Sequence, residues 1–136
     1  VVVQAMIDAE CAGVLFTRNP IDGSDERVIE AAWGLGETVV GGLVEPDRYT
    51  LARGGELRER IVGDKDLRIR IRPGGDTEEV PVPPHLRRVP CLDAGRLALL
   101  EELAQRCEAC FDGAHDIEWA FAGNRLFLLQ RRAVTR

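Results

Sequence analysis

The closing run HDIEWAFAGNRLFLLQRR, His115–Arg132, restricts what this chain can fold into more than any other stretch. On either side of Gly123-Asn124-Arg125, apolar residues alternate with polar or small ones. That is the period of a strand whose two faces meet different surroundings. Two such runs around a Gly-Asn signal predict a β-hairpin with a three-residue loop. With the loop centred on Asn124, Glu118 lies opposite Gln130 and Asp116 opposite Arg132. Ile117, Trp119, Phe121, Phe127 and Leu129 then make a core face. Asp116, Glu118, Gln130 and Arg132 make the other, with Ala120 and Leu128 nearer the turn.

Opposed residues on one face hold their Cβ atoms roughly 4.5–5.5 Å apart. A carboxylate and an amide oxygen at that spacing can share one hard cation. Mg²⁺ takes oxygen at about 2.0–2.1 Å and fills most of its shell with water and phosphate. Arg132, one step along, has the forked donors that grip a phosphate. The polar face therefore has the parts of a magnesium–phosphate site. It equally suits a solvated outer face with a cross-strand ion pair worth about 0.2–1 kcal/mol, normal in antiparallel sheets.

The 136 residues suit one domain, and 45% hydrophobic with 30% charged residues describes a globular one. A net charge of −5 argues against a nucleic-acid groove. No secretory leader and no membrane-length apolar run is present. The chain opens VVVQAMID, without Met and already strand-like, so it reads as a segment of a longer polypeptide. Cys107 and Cys110 form a C-x-x-C, but no second pair accompanies it, and His85 and His115 lack finger spacing. Both cysteines fall on a helical stripe with Leu97, Leu100, Leu103, Ala104 and Phe111, and read as core residues in a reducing, cytoplasmic setting.

Along the chain, residues 1–8 and Ala12–Thr17 read as strands, and Arg27–Ala32 as a third. Trp33-Gly34-Leu35-Gly36-Glu37 leads into a short helix, Glu37–Leu43. A Gly-rich turn into a helix suits an anion, although such glycines equally serve backbone geometry. Gly41 and Gly42 within that helix imply close packing. Strands follow at Arg48–Ala52, Leu57–Val62 and Leu67–Arg72. The last sets Arg68, Arg70 and Arg72 on one face, a phosphate grip or a solvated face. Pro73 to Pro90 holds five of the seven prolines, so residues 73–92 read as a surface loop. Asp93 caps a helix over Ala94–Phe111, with Gly113 just past its end. The expected fold class is α+β, a mainly antiparallel sheet with helices packed on one side.

Taken together, VVVQAMIDAECAGVLFTRNP, VIEAAWGLGETVVGGLVEPDRY, HDIEWAF and LFLLQRR resemble one family. It is the nucleotide-binding (PEP/pyruvate-binding) domain of phosphoenolpyruvate synthase and pyruvate phosphate dikinase. The resemblance runs in order from residue 1 to 136, with 53–92 as a variable middle. It implies an ATP-grasp fold with ATP and Mg²⁺ as cofactors. It also implies transfer of the β-phosphoryl of ATP to a histidine on a swivelling domain, then to pyruvate, with water or phosphate taking the γ-phosphoryl. Glu118 and Gln130 match the family's Mg²⁺–ATP ligands, and Arg132 its phosphate-contacting arginine. Asp116 matches the acid opening D-I-E-W, and Glu37 lies in the Gly-rich turn by the nucleotide. Glu118 and Arg132 are the residues the resemblance makes catalytic.

Two departures stand out. Ala133 follows Arg132 where the family's L-Q-x-R-P motif has proline. The upstream half of the cleft, with its lysine and arginine, is not in this sequence. The chain therefore resembles the C-terminal part of an ATP-grasp domain, a single partial domain over 1–136 that is inactive alone. Its implied partners are that upstream half, a phosphohistidine domain and pyruvate. Rifampicin-inactivating phosphotransferases share the module, and a non-catalytic module retaining the fold is a third reading. Arg18 in FTRNP reads as a structural or cleft-edge residue.

Overall fold

Strand-period alternation builds one sheet with two unlike faces. The computed structural model describes residues 7–134. Its elements are β1 Cys11–Phe16, β2 Glu26–Trp33, α1 Glu37–Val40, β3 Asp47–Ala52, β4 Leu57–Ile61, β5 Leu67–Ile71, β6 Thr77–Pro81, α2 Ala94–Cys110, β7 His115–Ala122 and β8 Arg125–Ala133. Six strands form a sheet in the order β4-β3-β2-β1-β7-β8, antiparallel at every step. The strand expected over residues 1–8 lies outside the described residues except for Ile7 and Asp8, which are in neither helix nor strand.

One face carries the main core. Leu15 of β1, Ile29 of β2, Tyr49 of β3, and Ile117, Trp119 and Phe121 of β7 are wholly buried there. Against them α2 lays Leu97, Leu100, Ala104 and Cys107, one helical stripe. The Asp93 side chain accepts from Arg96 N at 2.8 Å, the expected N-cap. Cys110 departs from expectation. It is exposed, one turn past the last buried position, while all four cysteines are free thiols. Burial pushes the Cys11 thiol up to about 12, and the Cys107 thiol upward too, so neither is a ready nucleophile.

The apolar stripe conceals two buried ionic knots. Arg27 Nε and Nη2 donate to the two carboxylate oxygens of Glu101, both at 3.0 Å, and Nη1 donates to Thr17 O at 3.0 Å. Glu108 closes on the same guanidinium at 2.8 Å. Burial alone would raise the Glu101 and Glu108 carboxyls. Hydrogen bonds outweigh it and hold both below their ordinary range, from Arg27, Gln105 and Gly54 N on Glu101, and from Arg53 and Arg27 on Glu108. At the other end of the core Asp47 accepts from Lys65 Nζ, Gly63 N, Cys91 N and Tyr49 OH. These contacts pin the chain after β4 and the chain before α2 to one carboxylate.

The opposite face is thinly covered. Ala12 of β1 and Ala120 of β7 pack there against Leu35 and Ile69. Thus α1 and α2 lie on opposite faces, which corrects the expectation of helices on one side. The short helix is a single turn, with Gly41 as its C-cap and Gly42 beyond it at φ +68°, so neither glycine is inside it. Strand β5 leaves the main sheet and pairs with β6 as a separate hairpin. The proline-rich stretch is therefore not a plain surface loop, since it supplies β6 and the buried Val82. Leu35 N donates to Ile69 O at 2.9 Å, docking the small hairpin on the Gly-rich turn. Gly34 makes that possible. It has φ +78°, and a Cβ there would stand 2.5 Å from Ile69 O.

Arg27→Met leaves Glu101 buried without its guanidinium. The expected loss at pH 7 is about 3–5 kcal/mol of unfolding free energy in urea titrations. Because the native carboxyls are held below the ordinary 4.5, the knot stabilises fully above that pH and weakens as pH falls through their lowered values. The gap between wild type and variant should therefore close on acidification.

Candidate functional site

The hairpin forms with the predicted pairs and a different turn. Glu118 faces Gln130, and Asp116 faces Arg132. Near the turn, however, Ala122 pairs with Arg125, so the loop is the two residues Gly123-Asn124 and not three. Gly123 supplies the positive φ of +62° that so tight a turn needs. The register shifts by one between Glu118 and Trp119, which leaves Leu129 as the extra residue of a β-bulge. A loop one residue short and a bulge one residue long cancel at Glu118–Gln130.

The cancellation moves side chains between faces. Phe127 pairs with Ala120, away from the main core, and Leu129 packs with the outer cluster of Ala12, Leu35 and Ala120. Neither belongs to the core face to which alternation assigned them. Leu128 instead opposes Trp119 and is 48% exposed.

On the outer face lies a cleft of about 620 Å³, lined among others by Ala12, Leu35, Glu37, Glu118, Ala120 and Leu129. Its lining is largely apolar, small at Ala12, Gly13 and Ala120 and bulkier at Leu35, Leu43 and Leu129, and its two charged lining residues are carboxylates. Glu37 enters from α1, and half-buried Glu118 from β7. Gln130 is exposed beside Glu118 and does not line the cleft. Asp116 and Arg132 stand one pleat further along, joined by Arg132 Nη2 to Asp116 Oδ2 at 3.2 Å. Arg132 is two-thirds exposed and keeps the rest of its fork open. The five sequence candidates thus share one face, with Glu37 and Glu118 inside the cleft and the other three along its edge.

The side chains of Glu37, Glu118 and Gln130 make no hydrogen bond or ion pair among the described residues, unlike the buried carboxylates of the core. Their donor set is one carboxylate and one amide across a strand pair, with a second carboxylate over the cleft. It is oxygen-only and open to solvent, so it fits a magnesium ion that keeps water and phosphate oxygens in its shell. It does not fit a zinc-type cage. Among the described residues no three His, Cys, Asp or Glu side chains converge. The Gly-rich turn offers little to an anion, because one turn of helix has almost no dipole and opens on Glu37.

Register extends the polar row beyond the hairpin. Glu118 opposes Val14, Val14 opposes Glu30, and Glu30 opposes Arg48. Glu30 and Arg48 are half-buried and form no ion pair although directly opposed. Sequence reasoning missed both. Their signal was available as the polar positions of RVIEAA and DRYTLA, on the same strand parity as Val14. Of the arginine strand, Arg70 pairs with Glu78 and Arg72 with Asp76, the solvated reading. Arg68 Nε is buried without a partner. No helix of the described residues is long and apolar enough to cross a membrane.

Against known proteins, the family described as pyruvate phosphate dikinase, AMP/ATP-binding domain matches residues 1–136. A probable phosphoenolpyruvate synthase of Methanothermobacter thermautotrophicus is 43% identical over 99% of this chain and 20% of its own length. A prodigiosin synthesizing transferase of Serratia marcescens is 39% identical over 99% of the chain and 15% of its own. A rifampicin phosphotransferase of Streptomyces sviceus is 35% identical over 99% and 16%. The chain therefore spans a fifth or less of the length of these curated relatives. With the whole of it matched, the chain belongs to the pyruvate phosphate dikinase AMP/ATP-binding domain family.

Proposed function

We propose that this chain is the C-terminal part of an ATP-grasp nucleotide-binding domain in a larger cytoplasmic dikinase of the phosphoenolpyruvate synthase type. The observation that carries the reading is the unpartnered Glu118–Gln130 pair at the edge of an apolar cleft, one pleat from Arg132. The cleft takes the base and ribose, and the small Ala12, Gly13 and Ala120 of its sheet side leave room for a flat ring. Glu118 and Gln130 hold Mg²⁺, which supplies charge neutralisation of the phosphates. Arg132 grips a phosphoryl oxygen, and Asp116 fixes its guanidinium. Glu37 faces the nucleotide from across the cleft.

No side chain at this site is a nucleophile. Its work is positioning and electrostatic stabilisation, the usual content of phosphoryl transfer. The β-phosphoryl passes to a histidine on a swivelling domain as AMP leaves and water or phosphate takes the γ-phosphoryl, and then goes on to pyruvate. A second reading, an antibiotic-directed phosphotransferase, is favoured by the rifampicin phosphotransferase relatives. A module that kept the fold without chemistry is disfavoured by the open carboxylate, amide and guanidinium together.

In the whole enzyme, Glu118→Ala or Arg132→Ala should slow histidine phosphorylation from β-labelled ATP by about 10²–10³. Arg132 is two-thirds exposed, and the half-buried Glu118 side chain has no hydrogen-bond partner to lose, so thermal melting should stay within about 1 kcal/mol of wild type. Wild-type labelling in a folded variant refutes the role. The chain expressed alone should bind Mg²⁺–ATP weakly and turn nothing over in calorimetry and labelling assays. Robust ATP-dependent phosphorylation by it contradicts the partial-site reading.

A further inference from the structure

Past the Asp116–Arg132 pair the same face carries a second hollow, separate from the cleft, and the strand register places it. Along the outer face, Ala12 and Ala120 are opposed in one row, Val14 and Glu118 in the next, and Phe16 and Asp116 in the third. Successive rows lie about 7 Å apart. Beyond the third is a hollow of about 290 Å³ lined among others by Phe16, Arg18, Ala114 and Val134. Val134 N donates to Ala114 O at 2.9 Å, so β7 and β8 are still paired at that point. Apolar floor, carboxylate with amide, Asp–Arg pair and Arg18 thus follow one another along a single axis. From Glu118 to the Arg18 row is about 13 Å, the reach of a phosphate chain and one further phosphoryl group.

Charge makes the same point. The described site sets three carboxylates, Glu37, Asp116 and Glu118, against the single guanidinium of Arg132. A polyphosphate brought there needs more positive charge than one magnesium ion supplies. Arg18 is exposed and its guanidinium forms no hydrogen bond or ion pair among the described residues, the Asp25 carboxylate acting on it only from further off. Arg48 is three strands to the side of Glu118, and Arg68 sits at the apolar end on β5. Among the described residues only Arg18 lies in line past Arg132.

Its backbone is fixed on both sides. Thr17 N donates to His115 O at 3.0 Å, and Thr17 Oγ1 accepts from His115 N at 2.8 Å. Asn19 N donates to Ser24 O, Asn19 Oδ1 accepts from Ile21 N, and Asn19 Nδ2 donates to Glu26 Oε1. A loop anchored this way, carrying an exposed guanidinium that makes no ion pair among the described residues although Asp25 lies within its field, is preorganised for an anion.

We infer that Arg18 binds a phosphoryl anion in the hollow beyond the cleft, either the terminal phosphoryl group of the nucleotide or a free phosphate. This rests on the nucleotide reading above. The test uses the whole enzyme and measures dissociation constants for Mg²⁺–ATP, AMP and inorganic phosphate by calorimetry in wild type, Arg18→Ala, Arg18→Lys and Glu118→Gln. If the anion is the nucleotide's own, Arg18→Ala weakens ATP about tenfold and leaves AMP unchanged. If it is free phosphate, Arg18→Ala weakens phosphate about tenfold and leaves both nucleotides unchanged. In either case Arg18→Lys restores part of the loss. Unchanged constants for all three ligands overturn the inference, as does an equal loss for AMP and ATP. Glu118→Gln separates the two levels, because wild-type Mg²⁺–ATP binding in that variant defeats the nucleotide reading itself, whatever Arg18 does.

Discussion

Everything at the candidate site depends on how β7 is held between β1 and β8. Side chains on a strand alternate strictly, so a slip of one residue would send Glu118 into the core and Trp119 into the cleft. The slip is forbidden from both sides. Ile117, Trp119 and Phe121 are wholly buried against α2, while Ala120 is sealed on the other face beneath Leu35 and Ile69. Exchanging those sets would bury a carboxylate and strand three large apolar side chains in water, several kcal/mol in each direction. The bulge at Leu129 then lets β8 answer two demands. Its lower half keeps Gln130 and Arg132 opposite their acids, while its upper half closes on a two-residue turn.

A second contrast separates the charges that build the fold from those that wait on a ligand. Buried Arg27, Glu101, Asp47 and Lys65 have their hydrogen-bonding groups engaged by side chains or backbone. Leaving any of them single would cost far more than the pair gains. Glu37, Glu118 and Gln130 have no such partners, and they can afford none only because water reaches them. An unpartnered carboxylate beside an apolar, largely preformed cleft is weakly solvated by comparison with bulk water and strongly disposed toward a cation. The difference between the two groups is solvent access, which the fold sets by covering one face with a long helix and the other with a single turn and a small hairpin.

Solvent access also explains what the sequence could and could not reveal. The Glu118–Gln130 and Asp116–Arg132 pairs were legible because strand period and a turn signal suffice to fix them. The bulge was not, since Leu128 and Leu129 are both leucine and alternation cannot tell which is the extra residue. Strands β1 to β4 followed from short apolar runs and turn residues. The departure of β5 from the sheet was invisible, because LRIRIR alternates equally well in either sheet. In the proline-rich stretch, composition hid β6: Pro81 ends a strand in a two-stranded hairpin, where a missing donor costs little. The buried ionic knots escaped for a simpler reason. Glu101 lies one residue from Leu100 on the helix, and a charged residue at the edge of an apolar stripe reads as solvated until a guanidinium is found across the core.

The open face has an energetic consequence for the proposed chemistry. Two unit charges 4 Å apart attract by about 1 kcal/mol in water and about 4 kcal/mol at the effective dielectric of a protein surface. Open to solvent among the described residues, the site leaves Glu118, Gln130 and Arg132 nearer the first limit. Covering the same residues from outside moves them toward the other without changing a contact within this chain. On the proposed reading, the upstream half of the domain then does more than add a lysine and an arginine: it lowers the dielectric in which this half's groups act. It also accounts for relatives with differently named products sharing this segment. Stabilising a phosphate chain on the β7–β8 face requires nothing of the final acceptor, so one half-site can serve chemistries that diverge only after the phosphoryl group has left it.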